Sequence, residues 1–218
     1  MKKISLLIAL FCLGAILIRV FWNRLDVVGN GSVTSFAQVL TASSQTVAPE
    51  GESWTLTAPD GSARFIWSGD FSKSTADVRL EASAEPFLKA GLDVSKLPAG
   101  MFDAGILRVE AELGSGKPAG ATPLAAYEQL VGFGRDRIKY HQALDHYGVD
   151  LGGGFVFEWA KDLRRNDKDI VFAFNPEPFL KAGVEPGKVE GWAFAKVTIM
   201  SGGKKIAVDR FLKPFDLK

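Results

Sequence analysis

Glu85-Pro86-Phe87-Leu88-Lys89-Ala90-Gly91 returns unchanged as Glu177-Pro178-Phe179-Leu180-Lys181-Ala182-Gly183, 92 residues later. The same spacing pairs Phe65 with Phe157, Trp67 with Trp159, Asp70 with Asp162 and Asp77 with Asp169. A match of that extent reads as an internal duplication. Within the heptapeptide, proline suits the first turn of a helix, where its missing N–H costs no hydrogen bond. Glycine just past the end accepts the left-handed conformation that closes the turn. The residue before proline is pushed towards extended geometry, which makes Glu85 and Glu177 the expected last residues of incoming strands. Glu85 and Lys89 stand four apart with the acid first, the favourable order for a helical ion pair, and Glu177 and Lys181 repeat it. Phe87 and Leu88, with Phe179 and Leu180, plug the end of a core. Each residue thus has a structural task, and the competing reading makes Lys89 and Lys181 a ligand-binding pair.

Working outward, Trp54 to Thr57 and Ala63 to Ser68 flank Ala58-Pro59-Asp60-Gly61, which has the angles of a tight turn between antiparallel strands. Asp77 to Ala82 is a third strand, and the alternation from Leu107 to Leu113 marks a fourth. The same offset starts the second copy at His146, opposite Trp54. Tyr147 to Asp150, Phe155 to Trp159, Asp169 to Phe174 and Trp192 to Met200 then answer the four strands. Ser201-Gly202-Gly203 is a hairpin turn leading to a further strand, Lys205 to Phe211. Setting Gly202 against Gly114 changes the offset to 88, as if the second copy had lost four loop residues. Between the copies, Thr122 before Pro123 starts a helix carrying Leu124, Tyr127 and Val131, and a second helical piece is predicted from Arg135 towards His146. Neither copy buries enough apolar surface alone, so the two share one core. The predicted class is α+β, mainly antiparallel β: a duplicated four-strand unit forming a sandwich or partly open barrel. The copies span about 54–117 and 146–205, with a helical insert at 121–145.

The first residues are of a different kind. Met1-Lys2-Lys3 precedes an uncharged run from Ile4 to Ile18, followed by Arg19 and Val20-Phe21-Trp22. Arg19 can snorkel and Trp22 suits the interface, so residues 1–26 read as a membrane anchor with its N-terminus inside. The alternative is a cleaved signal, whose small-residue site is expected close behind the apolar run, whereas Ser35-Phe36-Ala37 lies far downstream. Phe11 before Cys12 argues against lipid attachment there. Residues 27–50, rich in Gly, Ser, Thr and Gln, read as a linker in which Val33 to Leu40 could order locally against the domain, and 51–218 as one domain.

The chain holds 26 Lys and Arg against 25 Asp and Glu; residues 1–26 take four of the bases and one acid, leaving a slight acidic excess. That balance argues against nucleic acid as a partner. Cys12 is the sole cysteine, so disulfides and thiol catalysis within the folded part are excluded. His141 and Asp145 stand at helical spacing and would offer two metal ligands, but without a third no metal site is predicted. Gly114-Ser-Gly-Lys-Pro-Ala119 has neither the helix start of a dinucleotide site nor the residues of a phosphate loop. No cofactor is predicted.

The alternating aromatics Trp67 and Trp159, the lysines Lys89 and Lys181 and the aspartates Asp70 and Asp162 are the candidate ligand contacts, each with a structural alternative in core, ion pair or turn. The expected function is a membrane-anchored, extracytoplasmic binding or assembly module of the cell envelope, periplasmic or at the cell surface, whose partner is an envelope protein or glycan. Two alternatives are a hydrolase of an envelope polymer using cleft aspartates, and a structural subunit of a membrane complex.

Overall fold

The computed structural model describes residues 28–43, 47–71, 76–113, 122–164, 168–201 and 204–217. The predicted membrane segment, 1–26, and the glycine-rich stretch 114–121 lie outside them. Among the described residues no helix is long and apolar enough to cross a membrane.

The described chain is mostly antiparallel β in two six-stranded sheets, with a few helices. Residues 28–42 are helical (α1). The first sheet follows: β1 (Val47–Glu50), β2 (Ser53–Thr57), β3 (Ala63–Ser68), β4 (Val78–Ser83), the one-turn helix α2 (Glu85–Lys89), β5 (Phe102–Asp103) and β6 (Ile106–Ala111). Then come α3 (Pro123–Phe133), β7 (Ile138–His141), β8 (His146–Gly152), β9 (Phe155–Ala160), β10 (Ile170–Phe174), α4 (Glu177–Lys181), β11 (Ala193–Ser201) and β12 (Lys204–Phe215). The strand orders are β1-β2-β3-β4-β6-β5 and β7-β8-β9-β10-β12-β11, the same path taken twice.

The repeating unit is therefore a helix and six strands, larger than the four strands expected. Within the expected linker, the described residues 28–42 are helical and 47–50 are a strand. Ser32, Ser35, Phe36, Val39 and Ser43 recur at three- and four-residue spacing on α1, and all are buried. The small serines let the helix approach the sheet closely, and their hydroxyls are satisfied by backbone carbonyls: Ser32 donates to Gly29 and Ser35 to Ala160. Serine content imitates a linker; its spacing does not. α3 is the counterpart of α1, with Thr122 capping Ala125 N–H at 3.2 Å. The helix expected from Arg135 to His146 is instead a 3-10 turn, Arg135–Arg137, and the strand β7. Glu85 and Glu177 are the first residues of their helical turns and not the last of a strand.

The register also corrects the offset of 88. Ala82 pairs with Leu107 and Phe174 with Phe211, so β6 answers β12 at a spacing of 104. Phe102 pairs with Leu107 and Phe194 with Phe211, so β5 answers β11 at the original 92. The second copy has thus gained twelve residues in the β11–β12 hairpin, where the offset of 88 implied a loss of four.

The core lies between the sheets on an approximate twofold axis. Phe65 stacks on Phe157 at 4.2 Å with planes 4° apart, and Phe87 meets Phe179 at 4.9 Å. Phe36 sits between the paired tryptophans, 5.5 Å from Trp67 and 5.1 Å from Trp159, and against Tyr127 at 4.1 Å. Where the heptapeptides meet, Asp93 N–H donates to the Ala182 carbonyl and Glu185 N–H to the Ala90 carbonyl, both at 2.8 Å. Gly91 and Gly183 have φ of 100° and 94°, and a Cβ on Gly91 would stand 3.0 Å from the Gly183 carbonyl oxygen. Only glycine tolerates both the angle and the approach.

Candidate functional site

The strand alternation that sends Phe157 and Trp159 into the core sends Glu158 to the opposite face of the second sheet. His146 and Gly148 on β8, His141 on β7 and Arg210 on β12 share that face. The sheet curls until its two edge strands meet: the His141 ring on β7 reaches the Thr198 carbonyl on β11, Nε2 to O at 2.8 Å. This curl makes the second sheet a half-barrel. Val171 and Ala173, on the inside of the curve, are buried as a result.

Glu158 lies at the centre, with His141 Nδ1 at 3.5 Å from one carboxylate oxygen and His146 Nδ1 at 3.7 Å from the other. Burial pushes the carboxyl up, but the two imidazoles outweigh it and hold Glu158 below the ordinary glutamate value. The carboxylate in turn raises His141 above the usual histidine value, against the opposing effect of its burial, and the Thr198 carbonyl adds to the rise. The cluster is a buried carboxylate shared by two imidazoles, which can hold charge and move protons among three groups. Among the described residues no group of His, Cys, Asp and Glu is arranged to hold a metal ion.

The same face of the first sheet is built differently. Ile66 occupies the place of Glu158. Around it Arg64 and Arg108, the latter at 3.0 Å, both pair with the buried Glu81 on the interior strand β4, and Glu50 accepts from Thr55 at 2.8 Å. Glu50 stands where His141 stands in the second copy, so an acid takes the place of the imidazole there.

The six residues singled out in the sequence are not brought together at this cluster. Trp67 and Trp159 are both 0% exposed, closed into the core beneath α1 and α3, with Trp67 Nε1 donating to the Pro123 carbonyl at 3.0 Å. Lys89 and Lys181 are exposed and each bonds the acid four residues earlier, Glu85 and Glu177, at 2.7 Å. Asp162 accepts from Arg164 N–H at 3.0 Å, and Asp70 N–H is bonded by Ser68 Oγ at 2.9 Å, both in turns that follow strands. Asp77 and Asp169 fasten strand ends, accepting from Leu113 and Leu217 N–H at 2.6 and 2.9 Å. His141 and Asp145 do not share a helix; Asp145 lies in the β7–β8 turn, bonded by the Tyr140 hydroxyl.

Sequence reasoning passed over Glu158, His146 and Arg210. One signal was present: Glu158 interrupts Phe155-Val-Phe-Glu-Trp159, and its counterpart in the first copy is apolar. Comparison with known protein families, curated proteins and solved structures finds no match.

Proposed function

We propose that this chain is a binding module, held at a membrane by its N-terminal segment with the folded part extracytoplasmic, which receives its ligand on the curled face of the second sheet. The observation that carries the reading is the exchange of Ile66 for Glu158 at matching positions, which gives the second sheet a carboxylate between two imidazoles that the first sheet lacks. Ile66 suffices for the first sheet, while the second places Glu158 there, surrounds it with His141, His146 and Arg210, and adds twelve residues of hairpin beside it. Burying an ionised group costs several kcal/mol before its partners repay it; the first sheet places its own buried carboxylate, Glu81, between arginines, so a carboxylate held between titratable imidazoles is peculiar to the second. The basic start at Lys2 and Lys3 and the uncharged run from Ile4 to Ile18 support the membrane attachment and its orientation. An envelope glycan or protein is the class of partner that such a placement offers.

The test is Glu158→Ile, which installs the first copy's residue. The full chain is screened against envelope glycans and proteins by thermal shift, since a ligand that binds only the folded state raises Tm. A ligand-induced shift in the wild type that vanishes in a folded Glu158→Ile variant supports the reading. A ligand whose shift is untouched by that change, or a chain that partitions away from membranes on fractionation, overturns the corresponding half of it.

One observation favours a structural subunit as a second reading. Leu88 and Leu180 are 43% and 40% exposed, yet identical between repeats, and neither burial nor backbone geometry requires leucine there. Photo-crosslinking from position 88 in intact membranes would capture a neighbouring protein under this reading and none without it.

A further inference from the structure

We propose that His141, as an imidazolium, is a latch that holds the two edge strands of the half-barrel together and lets the curled face open when it loses its proton. The argument is a count of protons. Nδ1 faces a carboxylate oxygen of Glu158 at 3.5 Å and Nε2 faces the Thr198 carbonyl oxygen at 2.8 Å. A carbonyl and an ionised carboxylate only accept, so each ring nitrogen must carry hydrogen, and only the cation has both. A neutral ring keeps one N–H: it either turns that hydrogen to Glu158 and releases the Thr198 carbonyl, or keeps it on Thr198 in an uncharged and weaker bond. No backbone ladder joins β7 to β11, and the bond between His141 and the Thr198 carbonyl ties those two edges together.

The groups that face the ring set the range of the latch. Glu158 comes from β9, with His146 of β8 on its other oxygen and Arg210 of β12 near enough to feel its charge. Lys196 of β11 is engaged by Asp209 at 3.4 Å, and Tyr140 beside the ring is engaged by Asp145. Arg210 feels Asp150, Glu158 and Asp209 together, and Glu158 is the carboxylate in contact with both histidines. His141 is raised, so its contribution is complete below the ordinary value of 6.5 and is lost as pH climbs through the raised one. Glu158 is lowered, so its contribution is complete above 4.5 and is lost as pH falls through the lowered value. The seam is tightest between those two ordinary values and loosens on the alkaline side.

The meaning of the latch as a gate rests on the curled face being the binding surface; its chemistry does not. The experiment uses the full chain without ligand. Nitrogen-15 NMR of the imidazoles at pH 6 should show His141 protonated on both nitrogens, and at pH 9 on one. Hydrogen-exchange protection of β11 should fall over the same range by about tenfold for each pH unit separating the raised value from the ordinary one. In His141→Gln, whose amide can still donate to the Thr198 carbonyl but does not titrate, β11 protection should be independent of pH. A singly protonated His141 at pH 6, or pH-dependent β11 protection that persists in His141→Gln, overturns the latch. Glu158→Gln should bring the titration of His141 back towards the ordinary value, and an unchanged titration also overturns it. A ligand that binds while β11 protection ignores pH sinks the latch and leaves the binding reading standing; the reverse result sinks the binding reading alone.

Discussion

Phe36→Ala tests whether the helix ahead of the first strand belongs to the fold. The ring is fully buried, with Trp67, Trp159 and Tyr127 between 4.1 and 5.5 Å away. Truncating a buried phenylalanine costs about 3–5 kcal/mol, and the cost grows with the cavity that remains. Here the cavity would be walled on one side by a tryptophan of the first sheet and on the other by a tryptophan of the second. Both are anchored in hydrogen-bonded strands, so collapse is limited and the upper half of that range, about 4–5 kcal/mol, is expected. With a urea dependence of about 2 kcal/mol per molar, the unfolding midpoint should fall by about 2 M, with tryptophan fluorescence as the probe. A loss under about 1 kcal/mol, the ordinary effect of an unremarkable substitution, would refute the reasoning and return α1 to the status of an appendage.

Gly91→Ala and Gly183→Ala should each destabilise by about 1–3 kcal/mol, the usual range for a residue forced into a conformation it avoids. Their combination should fall short of the sum, because either methyl already separates the two turns; full additivity in urea denaturation would show that the turns are not in contact. Lys89→Ala and Lys181→Ala should leave the melting temperature unchanged, since both ion pairs are exposed to solvent. A clear drop in either would mean that the heptapeptide lysines have partners beyond their own helical turn.

The parts of this fold that were legible in the sequence are those where identity survived between copies. The repeated heptapeptide placed both helical turns and both left-handed glycines, and the Pro-Asp-Gly turn placed β2 and β3. Helix α1 was obscured because its counterpart α3 has diverged, with Phe36 answering Tyr127 and Gln38 answering Gln129 at a spacing of 91 instead of 92. The β11–β12 hairpin was misaligned because two glycine-rich turns resemble each other, whereas register is fixed by hydrogen bonds between strands remote in sequence. β7 was read as helix because four residues are too few to separate a period of two from one of 3.6. The Glu158 cluster draws one residue from each of three strands, and its closing contact is to a backbone carbonyl, which carries no residue-type signal at all.

The two bonds at the axis, Asp93 to Ala182 and Glu185 to Ala90, have the reciprocity of an isologous subunit contact: whatever one half gives, it receives in return. Such a contact does not require the halves to be one molecule. The peptide connection between Leu113 and Thr122 then serves to keep one half with the other. A chain severed there is, in thermodynamic terms, a heterodimer whose subunits already fit, and its dilution would reveal the affinity that the covalent form conceals.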